Sequence, residues 1–452
     1  MRARNGPAES MAVPESVPAF SSWSPFRRRE DDEVQEACGP RGTWAVIAGG
    51  GTGGHVIPAI SIGRAIVELG HPASAVHFVG SRRGIEGRLV PEAGFAITLL
   101  PGRGLARRLT VDNVPAVAGL AAATVRAMAL IARRRPSIVV SVGGYASLPC
   151  VLAAITLRAP LIIAEQNAVP GAANRVAGRF ARAAAVSFDG TELPRSVVTG
   201  NPVRPEVLAV DRDEQLNRAA AKAALGLPSD VILIAAIGGS LGARRINDAV
   251  VALAAEWAGR SGVAIRHVIG ARDWETTTAA CPRSVQGGLV YQQVRYEDRM
   301  DLVYAAADVA VCRAGASTVA ELAIVGLPAV LVPLPGAPRD HQTANGQALV
   351  AIGAATVIAD HELGPERLAA ELDRVLADAG RLAAMGKAAR SLAHPDAALA
   401  VAALAEEHAR GRSKPAEEKI RAIPRRLGGV LRRRSVVRPG SWRWTERRHA
   451  RG

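Results

Sequence analysis

Residues 43–70 read TWAVIAGGGTGGHVIPAISIGRAIVELG. A short β-branched apolar run, Trp44 to Ala48, ends in glycine. The turn GGGTGGH follows at 49–55, and apolar residues then recur at helical spacing until Gly70 closes the helix. Strand, glycine turn and helix in that order open a βαβ unit, so this stretch decides the fold class as α/β. Gly49, Gly51 and Gly54 also satisfy the dinucleotide pattern G-x-G-x-x-G. The turn admits two readings: a phosphate cradle, or a tight strand-to-helix turn with no ligand.

The alternation continues on both sides of Pro202 and Pro205. Short buried runs AVHFVGS (75–81), PSIVVSVGG (136–144), APLIIAEQ (159–166) and AAAVSFD (183–189) come first, with helical stretches between them. After GNPVRPEVLAV (200–210) the pattern restarts with VILIAAIGGS (231–240), AIRHVIG (264–270), GLVYQQV (288–294), ADVAVCRAG (307–315) and LPAVLVPLP (327–335). We therefore expect two doubly wound halves joined near residue 205, with ligands beyond the carboxyl ends of the strands and in the cleft between. The expected boundaries are an N-terminal extension at 1–42, a first Rossmann-like domain at 43–205 and a second at 206–395. A C-terminal helix at 396–409 and a basic tail at 410–452 complete the chain.

Composition agrees. At 452 residues the chain exceeds one ordinary domain of about 150 residues. Its 49% hydrophobic content excludes wholesale disorder, and 4% aromatics suit close-packed α/β layers. Four cysteines, at 38, 150, 281 and 312, form no close pair and no zinc spacing, which implies free thiols in a reducing cytoplasm. The net charge of +15 is concentrated in residues 410–452, which carry +12. Such a tail either attracts anionic lipid or nucleic acid or is a solvated extension. No secretory signal is visible. The nearest apolar stretch, Val114 to Ala132, is broken by Arg126 and followed by Arg133 to Arg135, so it reads as a soluble or interfacial helix.

Three more glycine turns repeat the first: SVGGYAS (141–147), IGGSLGARR (237–245) and CRAGASTVAE (312–321). Each puts backbone N–H groups at a helix start, where phosphate binds without a metal. Four such turns over two halves argue for a diphosphate ligand and two binding sites. The second strand ends in Ser81, Arg82 and Arg83, so the acid that holds an NAD ribose is missing. Glu321 either chelates ribose hydroxyls or faces solvent beside the helix dipole. Asp340, His341, Gln342 and Asn345 either meet sugar hydroxyls or are solvated loop residues. His55 serves as a general base, hydrogen-bonds an oxyanion, or is a structural cap of the turn. Glu165, Gln166 and Asn167 end another strand at the same edge.

Seven blocks, GGGTGGHVIPA, SVGGYAS, AEQNAVPG, GNPVR, GGSLGAR, CRAGASTVAE and DHQTAN, in this order, resemble the MurG family of peptidoglycan glycosyltransferases. The match runs from about Trp44 to about residue 395. The resemblance implies the GT-B fold, two Rossmann-like domains facing a cleft. It implies transfer of GlcNAc from UDP-GlcNAc to the C4 hydroxyl of lipid I with inversion, and no metal or other cofactor. On these blocks, Arg204, Ser240 and Ala316, Ser317, Thr318, Val319, Ala320 and Glu321 would hold the nucleotide, with Glu321 on the ribose. Gln342 and Asn345 would contact GlcNAc, and Thr52, Gly53, Gly54 and Asn167 would face the sugar. Gly143, Gly144 and Tyr145 would seat the acceptor diphosphate, and His55 is the candidate base. Glu297, after Tyr296, stands where some members place an apolar residue whose backbone reads uracil.

A lipid acceptor implies a peripheral protein on the cytoplasmic side of the cell membrane. Leu99, Leu100, Leu105 and Leu109 beside Arg103, Arg107 and Arg108 form a candidate patch for an anionic inner leaflet, and Trp442 and Trp444 could add to it. The alternative is an ordinary basic surface over a buried helix. No Asp-x-Asp pair follows a strand; the one at 211–213 falls in the linker helix. A UDP-GlcNAc 2-epimerase of the same fold is the principal rival. An NADP oxidoreductase and an RNA-binding role led by the tail are weaker ones, and no nucleic-acid partner is expected.

Overall fold

The structure, a computed structural model, describes residues 42–101, 113–239, 242–280 and 287–410. Two all-parallel sheets carry it. The first contains β1 (Ala45–Gly49), β2 (Val76–Ser81), β3 (Ala96–Leu100), β4 (Ile138–Gly143), β5 (Leu161–Glu165), β6 (Ala183–Val186) and β7 (Ser196–Val198) in the order β3-β2-β1-β4-β5-β6-β7. Helices α1 (Gly53–Glu68), α2 (Glu86–Glu92), α3 (Asn113–Arg134), α4 (Ser147–Thr156) and α5 (Ala172–Gly178) connect its strands. The chain then passes through α6 (Pro205–Leu208) and α7 (Gln215–Ala224).

The second sheet contains β8 (Ile232–Ile237), β9 (Val263–Val268), β10 (Val290–Val294), β11 (Val309–Cys312), β12 (Ala329–Leu331) and β13 (Ala355–Val357) in the order β10-β9-β8-β11-β12-β13. Around it lie α8 (Arg244–Glu256), α9 (Trp274–Ala279), α10 (Met300–Ala306), α11 (Ala316–Val325), α12 (His341–Ala351), α13 (Pro365–Leu376) and α14 (Ala379–Arg390). Each sheet is buried on both faces, which is why most of its strands read as unbroken apolar runs. The strand order reverses between β1 and β4 in one sheet and between β8 and β11 in the other. All four glycine turns follow these four strands, at the two points where such sheets open a crevice.

Three strands escaped the sequence pattern: β3, β7 and β13. All are sheet edges, and β3 is mostly half-exposed. An edge strand needs no continuous apolar run, so its signal is weak. Two other expectations change. Asp211 to Asp213 lie in the turn between α6 and α7, not in a helix. Leu100 is fully buried against Val79, Ala123 and Ile131, so it belongs to the core and not to a membrane patch. Leu99 is half-buried beside Gly87. Leu105, Leu109, Arg103, Arg107, Arg108, Trp442 and Trp444 lie outside the described residues.

The last helix, α15 (Ala397–His408), crosses back and packs on the first sheet. Val401, Ala402, Leu404 and Ala405 enter the core beside Ile62 and Ile66. Glu406 pairs with His71, whose ring stacks on Trp44 at 3.9 Å. Thus the chain joins its halves twice, near 199–204 and near 391–396. Leu404→Ala should cost about 2–5 kcal/mol of stability in the first half by opening a cavity. Urea unfolding followed from the first-half tryptophan, Trp44, measures this; a loss below about 1 kcal/mol would contradict the packing described.

Candidate functional site

The site begins with two helix N-termini. α1 starts after β1 at Gly53, and α11 starts after β11 at Ala316. Neither has a side-chain cap, and neither carries an acidic residue in its first turn. Their first N–H groups are therefore unpaired by side chains, and both dipoles present positive ends. The two ends meet: a Cβ added at Gly54 would stand 3.9 Å from Ser317 Oγ. Ser317 Oγ is buried with no partner among the described residues. Anionic groups are the natural occupants of such a place.

The first-half wall is built around His55, in the opening turn of α1. Its ring lies against Gly143, where an added Cβ would be 3.2 Å from Nε2. Thr52 Oγ1 is 3.4 Å from Nδ1. Gly143 and Gly144 adopt φ of +90° and +82°, which other residues rarely take. At Gly144 any side chain would also overlap the carbonyl oxygen of Gly50. The two glycine loops are therefore in backbone contact. Tyr145 follows, with its hydroxyl buried and unpartnered, and burial raises its pKa. Burial also lowers the His55 pKa below its ordinary 6.5; Glu165 and Glu86 pull it up and His341 pushes it down. The net direction favours a neutral imidazole, which can accept a proton.

Glu165, at the end of β5, organises the next loop. Its two oxygens accept from Asn167 N (3.0 Å), Asn167 Nδ2 (3.2 Å), Gly171 N (3.1 Å) and Asn174 Nδ2 (2.8 Å). Asn167 then reaches the second half through Asn345, whose Nδ2 donates to Asn167 Oδ1 and Ala314 O, each at 3.2 Å. Asn345 Oδ1 accepts from Ala168 N at 2.8 Å. Asn345 is fully buried and its amide is engaged on both atoms. The geometry makes it a pin between the halves, where a sugar contact had been expected.

On the second half, Arg204 Nε lies 3.3 Å from Glu321 Oε1, and Tyr304 OH donates to Glu321 Oε2 at 2.8 Å. Burial raises the Glu321 pKa, while Arg204 and Tyr304 hold it down. So Glu321 is neither solvent-facing nor free; it is a buried carboxyl with Arg204 at the cleft edge. Val319 gives nothing to a ligand: its side chain is in the core and its N–H donates to Gly315 O. Ala320 N–H likewise falls within the helical ladder. That leaves the opening turn of α11, Ala316, Ser317 and Thr318, with Ala316 buried and the other two half-buried. Gln342 uses Oε1 to accept from Leu334 N at 2.9 Å. Arg339 and Asp340, just before α12, both have positive φ, of 56° and 53°. Such strain in non-glycine residues concentrates at functional loops. The Glu297 carboxylate is taken by Arg266, at 2.8 and 2.6 Å, so only its backbone is available to a base. Ser240 lies outside the described residues.

Three site residues were missed from sequence. Tyr304 stood inside an ordinary helix, and nothing marked it as a partner of Glu321. Asn174 belonged to a short helix after a proline-glycine turn. Glu86 opens a short helix after a charged turn read only for its arginines. None sits in a glycine turn, and only the three-dimensional neighbourhood reveals them.

Comparison with known proteins bears on this arrangement. Residues 45–186 match the glycosyltransferase family 28 N-terminal domain, and residues 233–401 match the glycosyltransferase family 28 C-terminal domain. The chain is 41% identical to a UDP-N-acetylglucosamine–N-acetylmuramyl-(pentapeptide) pyrophosphoryl-undecaprenol N-acetylglucosamine transferase of Nocardioides sp., over 78% of this chain and 94% of that protein. It is similar to the crystal structure of Acinetobacter baumannii MurG at 30% identity and a TM-score of 0.64, covering 81% and 99% of the two chains. A UDP-GlcNAc 2-epimerase from Neisseria meningitidis shares the fold alone, at 12% identity and a TM-score of 0.56, covering 79% of this chain and 98% of that one.

The lowered His55 pKa is directly measurable. In a histidine NMR titration His55 should show a midpoint below 6.5. Glu165→Gln, by removing a negative charge, should lower it further. A wild-type midpoint at or above 6.5 would contradict the burial argument.

Proposed function

The chain belongs to the family of UDP-N-acetylglucosamine–N-acetylmuramyl-(pentapeptide) pyrophosphoryl-undecaprenol N-acetylglucosamine transferases, and from that premise we propose how its cleft works. It is a UDP-GlcNAc-dependent glycosyltransferase of peptidoglycan synthesis with the GT-B fold. It moves GlcNAc from UDP-GlcNAc onto undecaprenol-linked MurNAc-pentapeptide, lipid I, to give lipid II. The observation that carries the mechanism is the meeting of two uncapped helix N-termini, one from each half.

UDP-GlcNAc lies along the second half. The α11 N-terminus and Arg204 hold its diphosphate, and Glu321 accepts from the ribose hydroxyls. The α1 N-terminus and the Gly143–Gly144 loop, with Tyr145, hold the diphosphate of lipid I. Neutral His55 accepts the C4 hydroxyl proton as that oxygen attacks the anomeric carbon. The bond from the anomeric carbon to the phosphate oxygen breaks on the opposite side, so the configuration inverts. Negative charge growing on the departing UDP is met by the α11 dipole and the Arg204 guanidinium, both in place before reaction. The two joints near 199–204 and 391–396 let the halves close and exclude water. A 2-epimerase would need only the nucleotide half; the first-half wall of His55, Gly143 and Tyr145 favours transfer.

Membrane contact rests on α3. Val117 and Val125 are 55% and 66% exposed, Ala121, Ala122 and Ala129 are exposed with them, and Arg126 and Arg133 flank the stripe. No helix among the described residues is long and apolar enough to cross a membrane. An apolar stripe with a basic edge suits the anionic cytoplasmic leaflet as a peripheral surface.

Labelled GlcNAc should pass from UDP-GlcNAc to a short-chain lipid I analogue, with EDTA present. His55→Ala should lower kcat by about 10²- to 10⁴-fold while UDP affinity holds. Free UDP-ManNAc with no lipid product would instead support the epimerase. In a separate test, Val117→Asp with Val125→Asp should weaken sedimentation with anionic vesicles; unchanged binding would remove α3 from the membrane face.

A further inference from the structure

Glu86 belongs to none of the motifs, yet it sits under the first glycine turn. It opens α2 just after β2 and is 1% exposed. Its Oε1 accepts from Ser81 N at 2.6 Å, and its Oε2 accepts from Gly51 N at 2.9 Å. Three glycines make room for the carboxyl: a Cβ at Gly50, Gly80 or Gly84 would overlap it. No cation among the described residues pairs with it. A buried carboxyl held by backbone N–H groups is costly unless its geometry is used, because an apolar side chain would fill the space more cheaply.

Its contacts lead to the reaction centre. The bond to Gly51 N fixes the Gly50–Gly51 peptide. The Gly50 carbonyl then occupies the space that a side chain at Gly144 would need. Gly143, next along, lies against the His55 ring, 3.1 Å from Cδ2 by the same measure. One carboxyl thus sets the loop 49–54, the start of α1 and the imbedded imidazole against the second glycine loop.

We propose that Glu86 is the positioning residue of the acceptor side: it holds the 49–54 loop in the form that brings the α1 N-terminus and His55 to the acceptor. This rests on the transfer reaction proposed above. Glu86 touches neither substrate; it acts through Gly51. The charged and titratable groups facing His55 are Glu165 from β5, Glu86 from α2 and His341 from α12. Replacing Glu86 by glutamine removes one negative charge and leaves the other two groups. The imidazole then stays neutral to lower pH.

The test uses three full-length variants and the lipid I analogue. Glu86→Gln should lower kcat/KM for the acceptor by about tenfold to a hundredfold, as expected for a misplaced reacting group. UDP affinity, measured by calorimetry, should stay within about twofold, since the nucleotide half is untouched. The acid limb of the kcat/KM profile should move to lower pH. Gly84→Ala should act in the same direction by displacing the carboxyl, from a residue that touches neither glycine loop. The double variant should lose no more than the worse single one. Wild-type kcat/KM in Glu86→Gln, a parallel loss of UDP affinity, an unmoved acid limb or additive losses would each overturn the proposal. No transfer by the wild type would instead reject the reaction itself.

Discussion

The approach of two helix N-termini across the cleft, at Gly54 and Ser317, is the constraint on which the rest of the structure depends. Each end is a partial positive charge with unpaired N–H groups, and two such ends repel until an anion lies between them. The reversal of strand order in each sheet puts both turns on the facing edges. Asn345 pins the halves beside them through Asn167 and Ala168. Topology and one buried amide therefore bring two positive helix ends to one place, as the proposed binding of two diphosphates requires.

Three buried carboxyl groups lie near that meeting point. Glu86 accepts from the first glycine turn, Glu165 from the loop after β5, and Glu321 from Tyr304 and beside Arg204. Each is satisfied by donors on its own side. Glu86 and Glu165 shape backbone, while Glu321 holds Arg204 at the cleft edge. His55 lies where these influences meet. Burial outweighs the neighbouring carboxylates, so the imidazole remains a neutral acceptor.

Much of this was legible in the sequence, for a physical reason. Parallel strands buried on both faces must be apolar throughout, so the central strands of each sheet announced themselves, and glycine turns marked the edges where ligands bind. Edge strands β3, β7 and β13 carried no such obligation and were missed. Membership of the site was legible only where the backbone itself does the work, as at Gly143, Gly144 and Gly54. Side-chain roles were less so. Val319 falls in the turn motif yet points into the core. Asn345 resembles a sugar ligand yet ties the halves together. Glu86 and Tyr304 sit in ordinary-looking segments and matter through contacts that sequence spacing does not encode. The return of α15 to the first sheet was likewise not legible, since it rests on packing between residues far apart in sequence.

The account requires one direct displacement at the anomeric carbon, with acceptor and leaving group held on opposite sides by opposing helix ends. The most direct measurement is the anomeric configuration of the GlcNAc in the product, read by proton NMR coupling after transfer from α-linked UDP-GlcNAc. The account predicts a β-linkage to the muramyl C4 oxygen. An α-linkage would require a second displacement or front-face attack, and would contradict the arrangement of the two N-termini described here.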